Sequence, residues 1–486
     1  MSNHSIKLDV PTIPSWLVVT QAVCFAILYA VWMLPKTTFL RNSCLGLGAF
    51  LSIFVVFRFR KAFLNKAAIP VYLLIALYVW LIFHLLFLSN DFEAQYLELT
   101  SVWKNSAIGI VFGLGFGISL VSMATRASDA NLKGNKDSRV ANAVWVLIWI
   151  GLIAPEVIYL IKWLVMRYGI VWGLDVPDYL KLWPSSAPYY ISKNTYVCFC
   201  LPVLAIALGQ IKHQVNLNRL MSFANIFYVG VITSALFVFW GEKIFNGYIY
   251  SFMCAIILCS YLLWGYCKQA KLNRQLLVIL FMLALIAGLS YLIKKDVHLQ
   301  SFLADAKIAT QLEKYPQWKY NGEQVYPQNE IGSQVNGSNY ERLSWLTYGV
   351  QLIPRHPLGY GLLQSSFGHL VKIDYPDSKM HQSHSGWLDL ALGIGLPGAS
   401  LILSALLLAV RNCANPRNII SEMSVGSMQQ LQAYLSLGRW SLLGLGLIWC
   451  TTELSQRLYI DSLLFWIALA TGLGIGSRMP KIGYQY

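Results

Sequence analysis

The chain reads as a succession of apolar runs, each about 20 residues long, separated mostly by short polar connectors. In α-helix, at about 1.5 Å per residue, such a run crosses the roughly 30 Å hydrocarbon core of a bilayer. The pattern predicts twelve membrane helices: 15–34, 38–57, 68–89, 106–124, 142–163, 195–212, 220–240, 248–267, 275–294, 388–410, 438–455 and 458–476. The predicted fold class is all-α and polytopic. The connection between the ninth and tenth helices is different in kind. Residues 295–387 are too many for a structureless link in a compact protein. Within them, "NYERLSWLTYGVQLI" puts apolar residues at helical spacing and predicts an amphipathic surface helix, which the Pro and Gly of "RHPLGYG" end. The predicted organisation is a nine-helix membrane region (1–294), a partly helical outer loop (295–387) and a three-helix membrane region (388–486), with no solenoid repeat.

Charge orients this array. Of the 486 residues, 56% are hydrophobic and only 12% charged, which excludes an ordinary soluble domain. The basic residues fall in alternate connectors: Arg58, Arg60, Lys61 and Lys66, then Arg126, Lys133, Lys136 and Arg139, then Lys212 and Arg219, then Lys268, Lys271 and Arg274, then Arg411, Arg417 and Arg439. The positive-inside rule makes these connectors cytoplasmic. An even span count then places both termini in the cytoplasm. The net charge of +15 is therefore spread over short loops, and a nucleic-acid-binding face is excluded. The first span lacks a basic flank and a cleavage site, so it is expected to be retained. Most of the nine cysteines lie in apolar runs and form no zinc-type pair, so buried packing is their expected role.

Candidate chemistry concentrates in the outer loop. Five of the eight histidines lie between His298 and His384, together with Arg342, Arg355, Asp374 and Asp377. In "MHQSHSGWLDLALGIGLPG", His384 stands at the mouth of the tenth helix, where Ser383 or Ser385 can cap. The unpaired N–H groups of the first turn make a positive end that disfavours imidazolium. A neutral histidine there can take a proton from a hydroxyl; the plainer reading is a solvated helix-end residue. His381 and His384 form H-x-x-H below Asp374 and Asp377, a weak zinc pattern without a defined ligand set. The fork of Arg342 suits phosphate or pyrophosphate, against a surface pairing with Glu341. Lys243, in "WGEKIFNGY", meets an anionic head group or snorkels at the interface. Glu453 and Arg457 are spaced to pair i,i+4. Glu156, Asp389 and Glu453 are the main charges inside predicted spans, where charge is a functional marker. "GIGLPG" is expected to bend or weaken the tenth helix.

Two of these stretches together resemble the O-antigen ligase family. His384, Ser385, nine residues, Gly395, two residues and Gly398 fit its pattern H-[N/S/Q]-x9-G-x-x-[G/T/Y]. "ERLSWLTYGVQLIPRHPLGYG" resembles its arginine-bearing periplasmic helix and the H-P-L-G-x-G turn that follows. The order of many spans, a late periplasmic loop and about three more spans is similar as well. The motif-level likeness lies in Tyr340–Gly398. The resemblance implies an architecture like that of the C-type glycosyltransferases, in the bacterial inner membrane with the active site periplasmic. It implies transfer of a glycan from undecaprenyl pyrophosphate to an acceptor hydroxyl, with inversion and without metal or cofactor. His384 takes the role of base and Arg342 that of pyrophosphate ligand. The family's second arginine is missing; Lys243 and then Lys193 are the nearest cations. His381, Arg355, Glu453, Arg457 and Asp389 are expected to support the site. Lipid A core is the expected acceptor, ahead of a pilin-type serine and of another lipid-linked repeat. A lipid or glycan transporter also has many spans, but the unequal halves do not read as the repeats of such carriers.

Overall fold

The computed structural model describes residues 13–129, 136–269, 297–414, 425–450 and 457–478, apart from positions 170, 174, 185, 186 and 220. The fold is all-α and polytopic. The helices are α1 (Ser15–Trp32), α2 (Thr38–Arg58), α3 (Ile69–Phe87), α4 (Phe92–Glu98), α5 (Lys104–Asp129), α6 (Lys136–Tyr168), α7 (Lys193–Asn216), α8 (Phe223–Gly241), α9 (Phe245–Gln269), α10 (Val297–Ala309), α11 (Gly337–Arg355), α12 (Ser366–Asp374), α13 (Gly386–Gly393), α14 (Gly395–Ala414), α15 (Val425–Ile448) and α16 (Arg457–Gly476). Among the described residues ten helices are long and apolar enough to cross a membrane. The ninth predicted span, 275–294, lies outside the described residues.

Local chemistry explains where these helices start. Pro70 sits in the first turn of α3, where its missing N–H costs nothing. The side chains of Asp91, Ser192, Ser222 and Asn336 accept N–H bonds at the starts of α4, α7, α8 and α11. A π-turn over Leu99–Trp103 joins α4 to α5 without a break, so the fourth span runs from Phe92 to Arg126. In lipid the hydrophobic effect cannot drive helices together, so close backbone approach must. α16 is the hub: every residue from Tyr459 to Gly476 is buried. Gly113 and Gly117 of α5 meet it so closely that a Cβ on either would fall 2.5 and 2.3 Å from the carbonyls of Phe465 and Leu469.

Two expectations are corrected. The tenth helix is not continuous over 388–410. It divides into α13 and α14 at Ile394, because Gly395 takes φ +72°. The eleventh occupies Val425–Ile448, earlier than 438–455, and residues 451–455 lie outside the described residues.

The division is filled by the turn after α11. Tyr360 and Gly361 donate backbone N–H bonds to the carbonyls of Leu392 and Gly393, at 2.8 Å each, and Leu396 donates to Pro357 at 2.8 Å. The "HPLGYG" turn thus supplies partners for groups that the broken helix leaves open. α3 closes the crossing from below. Trp80 Nε1 donates to the Ile394 carbonyl at 2.7 Å, and His84 Nε2 bonds the Leu358 carbonyl at 3.1 Å. Gln95 Nε2 lies 3.1 Å from His84 Nδ1 and fixes that ring. A second buried core forms beyond this crossing, from Ile308, Trp318, Tyr340, Trp345, Leu352, Phe367 and Leu388 among others. The outer loop is therefore an ordered layer on the bundle, carried by α10–α13.

The crossing leaves no room for a side chain at Gly359. It has φ +84°, and a Cβ there would sit 2.4 Å from Gly395 N and 2.5 Å from the Gly393 carbonyl. Gly359→Ala should destabilise the protein by about 2–5 kcal/mol, from left-handed strain plus overpacking. Gly446→Ala, with nothing within 4 Å of the new methyl, should be neutral or stabilise by about 0.5–1 kcal/mol. Thermal unfolding of the two purified variants checks the contrast.

Candidate active site

His384 occupies a strained turn at the edge of the second core. Its φ of +57° is left-handed, a conformation that costs a non-glycine residue about 1–2 kcal/mol. Two interactions outweigh that cost. The imidazole stacks on Trp345 of α11, with centroids 4.9 Å apart and planes 18° from parallel; such a pair contributes about 0.5–1.5 kcal/mol. Asp389 of α13 accepts two bonds from Ser383, from the N–H at 3.1 Å and from the hydroxyl at 2.6 Å. Bonds to a carboxylate contribute about 1.5–3 kcal/mol each. Ser383 in turn accepts the Ser385 N–H at 3.2 Å.

The expected capping is thus corrected in detail. Ser385 occupies the N-cap position of α13 but its side chain makes no cap bond. The short chain from Asp389 through Ser383 shapes the turn instead. Asp389, expected as a charge within a membrane span, is a buried brace for the His384 backbone.

Trp345 is itself fixed. It is buried, and its Nε1 donates to the Trp318 carbonyl at 3.0 Å. The stack therefore sets the plane of the His384 ring. Glu341 and Arg342 precede Trp345 by four and three residues, so all three share one helical face. His384 and Arg342 both lie within electrostatic reach of the Glu341 carboxyl. That carboxyl is held above its usual range by burial, with the Tyr326 phenol, His384 and Arg342 pulling it back. Its Oε1 is buried without a hydrogen-bond partner. The expected Glu341–Arg342 surface pair does not form among the ion pairs of the described residues. Arg342 stays partly exposed beside the histidine turn.

Arg355 lies elsewhere. It is thirteen residues along α11 from Arg342, about 20 Å away by helical rise. Its guanidinium grips Asp374 of α12 with bonds of 2.5 and 2.7 Å, and Tyr348 bonds the same carboxylate. Arg355 and Tyr348 hold the Asp374 carboxyl down at about 2. This staple closes the outer layer and removes Asp374 from any metal set with His381, whose side chain is exposed. Among the described residues no three His, Cys, Asp or Glu side chains gather as metal ligands.

The other expected cations are not at this turn. Lys193 begins α7 and acts on Glu242, next to exposed Lys243 in the α8–α9 turn. α7 and α8 pack on α6, α9 and each other, whereas α11 packs on α10 and α13. Arg457 starts α16, within electrostatic reach of Glu98, Arg41 and Asp461. Glu98 accepts the N–H groups of Leu363 and Gln364 at 2.8 and 3.2 Å, tying the outer turn to α4. Glu453 lies outside the described residues. Glu156 is buried in α6, where it accepts a bond from the Ser234 hydroxyl of α8. Beside the Trp387–Trp449 contact, an apolar cavity of about 250 Å³ opens between α9 and α15, lined by Ile249, Tyr250, Met253 and Leu447.

Residues 247–403 match the family described as O-Antigen ligase. That segment, about a third of the 486-residue chain, is similar to the O-antigen ligase family. The matched stretch holds α11, the interlocked turn, α13 and the start of α14, so both of its motifs converge on the single crossing described above. No curated protein matches the chain in sequence. The match and the ten long apolar helices describe a multi-pass membrane protein with an O-antigen ligase-like segment.

Sequence reasoning misses two parts of this site. The spacing of Trp345 from Arg342 is the signal for the first, and Glu341 enters the sequence reading only as a partner for that arginine. The position of His384 over Trp345 is a contact across 39 residues that no periodicity carries.

Asp389→Ala releases the turn and should lower glycan transfer about 100-fold, the scale set by a 1 Å misplacement. Asp389→Asn keeps an acceptor oxygen and should recover much of the rate. Arg355→Ala should stay within about threefold of wild type at pH 7, since an exposed pair contributes little. The Asp374 carboxyl is depressed in the folded protein, so its contribution is complete above its ordinary value and vanishes as pH falls through about 2. Protease accessibility of residues 366–374 should stay constant from about pH 7 to 4 and rise below that.

Proposed function

We propose that the protein transfers a glycan from undecaprenyl pyrophosphate to an acceptor hydroxyl at the periplasmic face of the bacterial inner membrane, with lipid A core as the acceptor. The observation that carries this reading is the pairing of a plane-locked His384 with Arg342 on the Trp345 face, inside the segment matched to the O-antigen ligase family. The charge of the basic connectors supports a reading with both termini in the cytoplasm and the 295–387 loop in the periplasm, between membrane regions 1–294 and 388–486.

The chemistry follows from this arrangement. A ring nitrogen of His384 removes the proton of the acceptor hydroxyl as its oxygen bonds to the anomeric carbon. The bond from that carbon to the pyrophosphate oxygen breaks, and the electron pair leaves with undecaprenyl pyrophosphate. Attack opposite the leaving group inverts the anomeric centre. Arg342 meets the growing negative charge with a bidentate fork, which stabilises the transition state more than the ground state. Glu341 is suited to orient the imidazole, since its free carboxylate oxygen lies in the field of the histidine. Arg342 carries the pyrophosphate contact at this turn, from which Lys243, Lys193 and Arg457 lie apart, and exposed His381 meets the glycan. The apolar cavity between α9 and α15 offers a path for the polyprenyl chain. No metal or other cofactor enters this scheme.

His384→Ala should abolish transfer, a loss of at least about 100-fold for a general base, while leaving membrane insertion and gel-filtration profile intact. Arg342→Lys keeps the charge but loses the fork and should fall about tenfold. An active His384→Ala protein would sink the base assignment. Purified protein incubated with lipid-linked glycan and, in turn, lipid A core, a pilin and a second lipid-linked repeat identifies the acceptor; transfer to a pilin serine alone would replace the lipopolysaccharide reading.

A further inference from the structure

At the end of the bundle opposite His384 lies a second polar site that the transfer chemistry does not use. α14 starts at the helix break that ends α13 and runs 20 residues to Ala414, away from the histidine turn, about 30 Å by helical rise and so about one hydrocarbon thickness. Around its far end, α7, α9, α14 and α15 enclose a cavity of about 220 Å³ lined by Lys212, His213, Tyr261, Gln432, Ser436 and Arg439, among others. At about 30 Å³ per water, this is far larger than a single ordered water or a monatomic ion needs.

The polar groups of this cavity lack complementary charge. Lys212 and Ser436 are both more than nine-tenths buried. The Lys212 ammonium stands 3.4 Å from the centroid of the Tyr261 ring, and the Arg439 guanidinium stands 5.2 Å from the same centroid. One ring quadrupole cannot neutralise two cations. Neither residue takes part in the ion pairs found among the described residues. The Ser436 hydroxyl and Arg439 Nε are buried without hydrogen-bond partners. His213 bonds the backbone of Gln429 and clamps α7 to α15, so the cavity wall is fixed. Buried charge without a counter-charge is costly unless something supplies one. Basic pockets between membrane helices at head-group depth recognise anionic lipid phosphates.

We propose that this cavity binds the phosphate of an anionic lipid head group from the leaflet opposite the transfer site. Lys212 and Arg439 neutralise the phosphate, Ser436 donates a further bond, and Tyr261 holds the two cations apart at the rim. The site is independent of the catalytic assignment to His384.

The test uses the purified full-length protein in detergent, with native mass spectrometry and thermal shift as readouts. Phosphatidylglycerol, phosphatidylcholine of the same acyl chains, and inorganic phosphate are the three probes. Wild type should retain phosphatidylglycerol through delipidation and gain thermal stability from it, and should not do so with phosphatidylcholine. Lys212→Met with Arg439→Gln should weaken retention by at least about tenfold, and Ser436→Ala alone by about fivefold, the scale of one hydrogen bond. Lys212→Arg, which keeps charge and length, should retain the lipid and controls for folding. Stabilisation by inorganic phosphate that equals the lipid's, with no lipid retained, would assign the site to a free anion and overturn the lipid source. Equal retention of both lipids, or retention of phosphatidylglycerol by the folded double variant at the wild-type level, would overturn the site.

Discussion

The constraint on which the rest depends is the need to satisfy backbone groups where a helix breaks at membrane depth. α13 and α14 part at Ile394, and the turn at Pro357–Gly361 bonds directly to the carbonyls and amide exposed there. Water is scarce at this depth, and each unsatisfied group would cost several kcal/mol. The two backbones must therefore touch, and only glycine at 359 and 395 allows it. Trp80, His84 and Gln95 complete the arrangement from α3 and α4, which fixes the crossing to the membrane bundle.

From this crossing the rest of the site is suspended. α11 runs away from it on one side and α13 rises from it on the other, so Trp345 and His384 are brought face to face. A small displacement of the crossing would part them, because neither residue is held by covalent proximity. Glu98 and the Arg355–Asp374 staple stiffen the outer layer at two further points without entering the chemistry. The left-handed turn at His384 is tolerable because the stack and the Asp389 brace together exceed its strain.

The distribution of charge across the molecule has the same logic. Where a charge has a firm partner, as in Arg355–Asp374, it serves architecture. Where cations lie close together without carboxylate partners, as around the Lys212–Arg439 cavity, they point to an anion from outside the chain. Arg342 makes no ion pair among those of the described residues and stays partly exposed. In a bundle with few charges, such uncommitted cations stand out against the apolar background.

The all-α class, most of the membrane helices, the amphipathic α11 and the turn that ends it are legible in the order of residues alone. These are local properties: apolar length, 3.6-residue spacing and Pro–Gly punctuation lie within one stretch of chain. The same order of residues also singles out His384 and Arg342, because a short motif keeps its spacing regardless of the fold. That the tenth helix breaks, that "HPLGYG" and "GIGLPG" form one interlock, and that Asp389 braces the histidine turn through Ser383 while Ser385 makes no cap, emerges only in the folded chain. Folding likewise commits Arg355 to Asp374 and brings Glu341 within electrostatic reach of His384. Each of these depends on groups far apart in the chain meeting where water is excluded, and no local pattern of apolar and polar residues encodes which partner a buried group will find.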